Sequence, residues 1–74
     1  MTMKKRSVNI KGHATSISLE EPFWAHLKAI ADQKGVSMNQ LVGQIDAKRS
    51  TPNLSSALRL YVLEWLESQI AENS

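Results

Sequence analysis

Apolar and polar residues alternate cleanly over residues 14–19. Thr15, Ile17 and Leu19 fall on one side of an extended chain, and Ala14, Ser16 and Ser18 on the other. The β-branched Thr15 and Ile17 favour the pleated state. After Glu20-Glu21-Pro22 the period changes. Phe23, Leu27, Ile30 and Ala31 recur at helical spacing with Trp24 beside them, which predicts a helix from Pro22 to Lys34. Pro22 suits the first helical position, and the two glutamates meet the positive end of the helix dipole. Gly35 follows as the expected terminator, with Lys34 in the last turn. Ser37 is positioned to cap a second helix, in which Met38, Leu41, Val42 and Ile45 lie at i, i+3, i+4 and i+7. That helix ends near Lys48-Arg49. Gly43 inside it costs about 1 kcal/mol relative to Ala, unless its small size permits close helix approach. "STPN" is a turn, and Asn53 or Thr51 caps a third helix from Leu54 to Ile70. Its apolar face is wide: Leu54, Ala57, Leu58, Tyr61, Val62, Trp65, Leu66 and Ile70. "AENS" after it is expected to fray.

The residues before the strand read differently. Residues 1–7 are polar and basic, without apolar spacing, and are expected to be disordered. Val8 and Ile10 alternate weakly, but they are even-numbered while Ile17 and Leu19 are odd. Gly12 between the two runs fits a bulge or a turn; a hairpin over Lys11-Gly12 is the less favoured reading. The boundaries are therefore a flexible basic arm over 1–12 and a folded domain over 13–70.

A lone strand has no ladder partner in its own chain. The simple solution is a mostly α fold in which the same strand from a second chain pairs antiparallel across a two-fold axis, with three helices from each chain. Thr15, Ile17 and Leu19 would join Leu41, Val42 and Ile45 in a shared dimer core. Ala14, Ser16 and Ser18 would face outward. A chain of 74 residues buries little surface alone. It holds no cysteine, so neither a disulfide nor a thiolate metal site can supplement the core. Association is the remaining source of buried area.

The net charge of +2 is unevenly placed. Lys4, Lys5, Arg6 and Lys11 stand among residues 1–19 with no acid, while the rest of the chain is mildly acidic. A basic arm on an acidic body suggests a polyanionic partner. A two-stranded ribbon of small polar residues fits the major groove of double-stranded DNA, which is about 12 Å wide.

The series "TSISLEEPFWAHLKAIADQKGVSMNQLV" resembles a ribbon-helix-helix domain. More narrowly, "KRSVNIKGHATSISLE", "FW", "GVSMNQLVGQID" and "NLSSALRLYVLEWL" resemble a compact bacterial subfamily with a third C-terminal helix. The likeness spans about residues 5–67. It implies an obligate homodimer that binds DNA through the ribbon, as a transcriptional repressor or as the antitoxin of a toxin pair. By position, Ala14, Ser16 and Ser18 correspond to the family's groove-facing residues, and Ser37, Met38 and Asn39 to its phosphate-binding helix start. This chain departs from the pattern on the outward face, where an alanine and two serines replace long hydrogen-bonding side chains. Lys11 and His13, just before the strand, are candidates to supply what the strand lacks, and Lys4, Lys5 and Arg6 to attract phosphate.

Other chemistry is poorly supported. Phe23, Trp24, Tyr61 and Trp65 sit among aliphatic residues and read as core aromatics. His13 and His26 are too few and too scattered for a metal site, and no cofactor is implied. Lys48 and Arg49 complement a helix end, the reading favoured over a phosphate contact; Arg59, inside an apolar helix, should snorkel or pair with a carboxylate. No glycine-rich phosphate loop or nucleophile–base pair suggests an enzyme. The basic start lacks an apolar segment, and "LRLYVLEWL" is broken by charge, so a cytoplasmic protein is expected. The broad third helix motivates an alternative, a protein–protein adaptor or antitoxin whose partner protein docks there.

Overall fold

The computed structural model describes residues 2–73, of which 72 and 73 by backbone alone. Two strands, β1 (Met3–Ile10) and β2 (His13–Glu20), are followed by α1 (Glu21–Lys34), α2 (Met38–Lys48) and α3 (Leu54–Asn73). The two strands pair antiparallel in one sheet. This corrects two expectations. The strand over residues 13–20 has a partner in its own chain, and residues 3–10 are part of the fold, not of a flexible arm; Met1 lies outside the described residues.

The parity mismatch that spoke against β1 is what the hairpin requires. Lys11 and Gly12 form a two-residue turn with φ of 53° and 83°. Positive φ at both central residues is the requirement of a type I′ turn, whose twist matches that of the strands. With a two-residue loop, the numbers of paired residues always add to 23, as Ile10 with His13 and Val8 with Thr15 do. Partners project to the same side of the sheet. Even positions of β1 therefore share a face with odd positions of β2, and Val8 meets Thr15 and Ile17 at the core.

The helices obey the sequence signals closely. Pro22 sits in the first turn of α1, and Gly35 ends it in the left-handed conformation with φ of 72°. Ser37 caps α2 through a full capping box: its Oγ accepts from the Gln40 N–H at 3.1 Å, and the Gln40 side chain accepts from the Ser37 N–H at 2.9 Å. Asn53 caps α3, its Oδ1 accepting from the Ser56 N–H. The expected frayed tail is helical through Asn73, and Ser74 lies outside the described residues.

The helices pack beneath the core face of the hairpin. Val8, Ile17, Leu19, Trp24, Leu27, Leu41, Val42, Leu58 and Val62 form its centre. Ile17, Leu19, Leu41, Val42 and Ile45, expected in a dimer core, are at most 7% exposed within one chain, and Thr15 is half-buried. Phe23, Tyr61 and Trp65 pack against this core from its margin. Arg59 pairs with Glu20, joining α3 to the end of β2. The apolar face of α3 is wider than one chain covers: Leu60 and Leu63 are each 51% exposed and Ile70 is 68% exposed.

Candidate nucleic-acid interface

The buried residues fix which face of the hairpin looks outward. Ala14, Ser16 and Ser18 are all exposed, as predicted. The register sets Asn9 opposite Ala14, Ser7 opposite Ser16 and Lys5 opposite Ser18, and those three are exposed too. The outward face therefore holds six central positions drawn from both strands of one chain. Lys5, Ser7 and Asn9 were not read as part of it from the sequence; the face parity across a two-residue turn is the signal that finds them.

The other basic residues stand elsewhere on the ribbon. Lys4 and Arg6 have the parity of the core face, opposite Leu19 and Ile17, but are exposed at the margin of α1. The Arg6 guanidinium sits 5.6 Å from the centre of the Trp24 ring, a cation–π distance. Lys4, Arg6, Lys28, Trp24 and Met38 line one groove along the flank of the ribbon. Lys11 is in the turn, and His13, paired with Ile10, is exposed at the ribbon's tip on the side away from Ala14.

Two hydrogen bonds tie β1 to the helices. The Trp24 Nε1–H donates to the Lys4 carbonyl at 2.9 Å, which also satisfies the one polar atom of a buried indole. The Asn9 N–H donates to Asn39 Oδ1 at 3.2 Å. The Asn39 side chain, expected to meet phosphate, is thus engaged in holding the strand, and the Ser37 hydroxyl is engaged in its cap. What the start of α2 still offers is backbone. The N–H groups of Met38 and Asn39 occupy the first turn, where no carbonyl precedes them in the helix. The Asn9–Asn39 bond places this turn beside β1.

β2 is held from the other side. The Ser55 hydroxyl donates to the Ser18 carbonyl at 3.2 Å. Arg59 donates from Nε and Nη2 to the two oxygens of Glu20 at 3.0 and 3.3 Å. That two-pronged bond from Arg59 lowers the Glu20 carboxyl below its ordinary value of 4.5. Arg49 and Lys48 lie at the far end of α2 from this face. Arg49 pairs with Asp46 at 2.9 Å and donates to the carbonyls of Thr51 and Pro52, so it braces the turn into α3.

The fold and its ribbon have a counterpart among solved structures. An uncharacterized protein from Bordetella pertussis Tohama I superposes with a TM-score of 0.83 at 29% sequence identity. The match covers 99% of this chain and 62% of the other, so this chain spans less than two thirds of that protein's length. No curated protein matches the chain. The family model of the ribbon-helix-helix domain matches residues 3–66, which takes in the hairpin, α1, α2 and most of α3. The chain belongs to the ribbon-helix-helix domain family.

Proposed function

We propose that this chain is a homodimeric DNA-binding regulator that inserts its β-ribbon into the major groove and acts as a transcriptional repressor. The observation that carries the reading is the hairpin's exposed face of small and hydrogen-bonding side chains, in a hairpin that contains four cations, Lys11 of the turn included, and no acid before Glu20. A two-stranded antiparallel ribbon is one of the few elements that fits the major groove. Ribbon-helix-helix domains are found in DNA-binding regulators, and the family generally binds DNA as dimers.

The supporting contacts follow from placement. Ala14, Ser16 and Ser18 would meet base edges. Lys4 and Arg6 on the flank, with Lys11 and His13 at the tip, would meet phosphates. The N–H groups at the start of α2, Met38 and Asn39, would take a phosphate beside the groove. The second copy docks along α3, where Leu60, Leu63, Leu66 and Ile70 leave an exposed apolar stripe. The groove beside that stripe carries Lys34, Lys48 and Glu64, and Glu67 is exposed one turn further along α3.

A salt titration of DNA binding tests the function. Four to eight phosphate contacts per dimer give a log–log slope of about −4 to −7. No affinity at low salt, or an affinity that salt leaves unchanged, refutes it. Sedimentation tests the dimer. A stoichiometric foreign protein on α3, with no DNA retained, would instead favour the adaptor or antitoxin reading that the same stripe motivates.

A further inference from the structure

We propose that base discrimination is carried by β1, through Asn9 and Lys5, and that the small residues of β2 serve to make room for them. The proposal rests on the DNA-binding reading above. It also goes against the expectation that β2 does the reading.

The chemistry of the outward face is unequal. Ser16 and Ser18 can bond to several bases, and Ala14 offers only a methyl contact. An asparagine can pair bidentately with adenine N6 and N7, and a lysine can reach guanine O6 and N7. Both residue types occur on this face only on β1. The register sets each long side chain against a short one: Lys5 opposite Ser18 and Asn9 opposite Ala14. Directly opposed Cβ atoms lie about 4.5–5.5 Å apart, so a bulky partner would crowd the approach to a base edge. Alanine and serine do not.

Position matters as much as chemistry, because a bidentate contact needs a fixed backbone. The two clamps on β1 fall at the two reading residues. The Asn9 N–H is itself held by Asn39 Oδ1 at 3.2 Å. The carbonyl of Lys4, next to Lys5, is held by Trp24 Nε1 at 2.9 Å. The strand is thus pinned to α2 near its tip and to α1 near its base, with Lys5 and Asn9 four residues apart and facing the same way. Neither clamp uses the side chain of Asn9 or Lys5. Asn39 and Trp24 are positioning residues in this arrangement.

The test is selection of binding sites from a randomised duplex pool, with the wild type and with Asn9→Ala, Lys5→Ala and Ser16→Ala. All three positions are exposed, and thermal melts check that each variant folds. Asn9→Ala and Lys5→Ala should each lose the preference at one base pair of the half-site, a drop in discrimination of roughly 5- to 150-fold. Ser16→Ala should change it little. Equal weakening on all sequences by the β1 variants would make these residues phosphate or packing contacts and overturn the inference. Relaxed preference in Ser16→Ala alone would return the reading to β2 and overturn it as well. Wild type that binds all sequences alike overturns it while leaving DNA binding intact. Wild type with no affinity for any duplex refutes the proposed function itself, and this inference with it.

Discussion

Replacing Gly43 by alanine should stabilise the protein. Gly43 lies in the middle of α2, with backbone dihedrals that any residue adopts. A Cβ built on it meets nothing within 4 Å, so no close helix approach depends on its small size. The sequence left that approach open as one explanation for the glycine, and within a single chain it does not exist. With no clash to offset it, the substitution gains the helix propensity difference of about 1 kcal/mol. For a domain of this size, that corresponds to a rise in melting temperature of about 4–8 °C. Urea denaturation followed by circular dichroism, at several protein concentrations, measures the change. Gly12 and Gly35 provide the contrast. Both have equally open surroundings but positive φ, at 83° and 72°, so Gly35→Ala should destabilise where Gly43→Ala stabilises. A loss of stability in Gly43→Ala, above all one that deepens with concentration, would refute the reasoning. It would mean that another chain packs against the open side of α2.

The remaining predictions concern the hairpin and its supports. Lys11 adopts φ of 53°, a region costly for most side chains, so Lys11→Asn should stabilise by about 0.5–1 kcal/mol in a thermal melt, since Asn-Gly is the preferred pair for this turn. Trp24→Phe removes the indole donor to the Lys4 carbonyl and should cost about 1 kcal/mol from the lost bond alone; faster amide exchange along β1 than along α2 would locate the damage. Arg59 holds the Glu20 carboxyl below 4.5, so the folded state binds fewer protons there than the unfolded chain. That stability is fully present above the ordinary carboxylate value and is lost as pH falls through the lowered one. Arg59→Met should therefore flatten the acid side of a stability–pH curve, and an unchanged slope would show the pair to be energetically idle.

The helices were legible because several local signals agreed at each end. Pro22, Gly35, Ser37 and Asn53 each mark a boundary, and the apolar stripes between them have helical spacing. β1 was illegible for a physical reason. Of its eight residues only Val8 is buried, and Met3 to Ser7 are exposed, so the apolar alternation shrinks to Val8 and Ile10. Its strand character comes from pairing with β2 and from the clamps of Trp24 and Asn39, which are long-range. Lys-Gly is also a weaker hairpin signal than Asn-Gly. The end of α3 was missed differently. No Gly or Pro stops it, so the helix runs on to Asn73 although its second half covers little of the core. At the candidate site, the sequence correctly identified Ala14, Ser16 and Ser18 as outward residues, because burial of Ile17 and Leu19 determines their face. It could not identify Lys5, Ser7 and Asn9 without knowing that the turn holds two residues.

The hairpin also changes what a dimer has to supply. If β2 were alone, a second chain would be needed to satisfy its backbone, and the protein could not fold without association. Here β1 supplies the ladder, and Leu19, Leu41, Val42 and Leu58 are fully buried by the chain's own elements. In the proposed dimer, association would be left to the exposed stripe on α3, and its main product would be the spacing of two ribbons on DNA. Leu63→Glu places a charge in the middle of that stripe, at a residue already 51% exposed. Little of the chain's own packing is lost, so the variant should keep its helical circular dichroism and sediment as a monomer. It should also bind a full two-fold site no more tightly per ribbon than a single half-site, because the linkage between ribbons is gone. The wild type should gain stability with concentration only by the mass-action term of binding a partner. A chain that unfolds on dilution, or a Leu63→Glu variant that cannot fold, would show that the second copy completes the core after all.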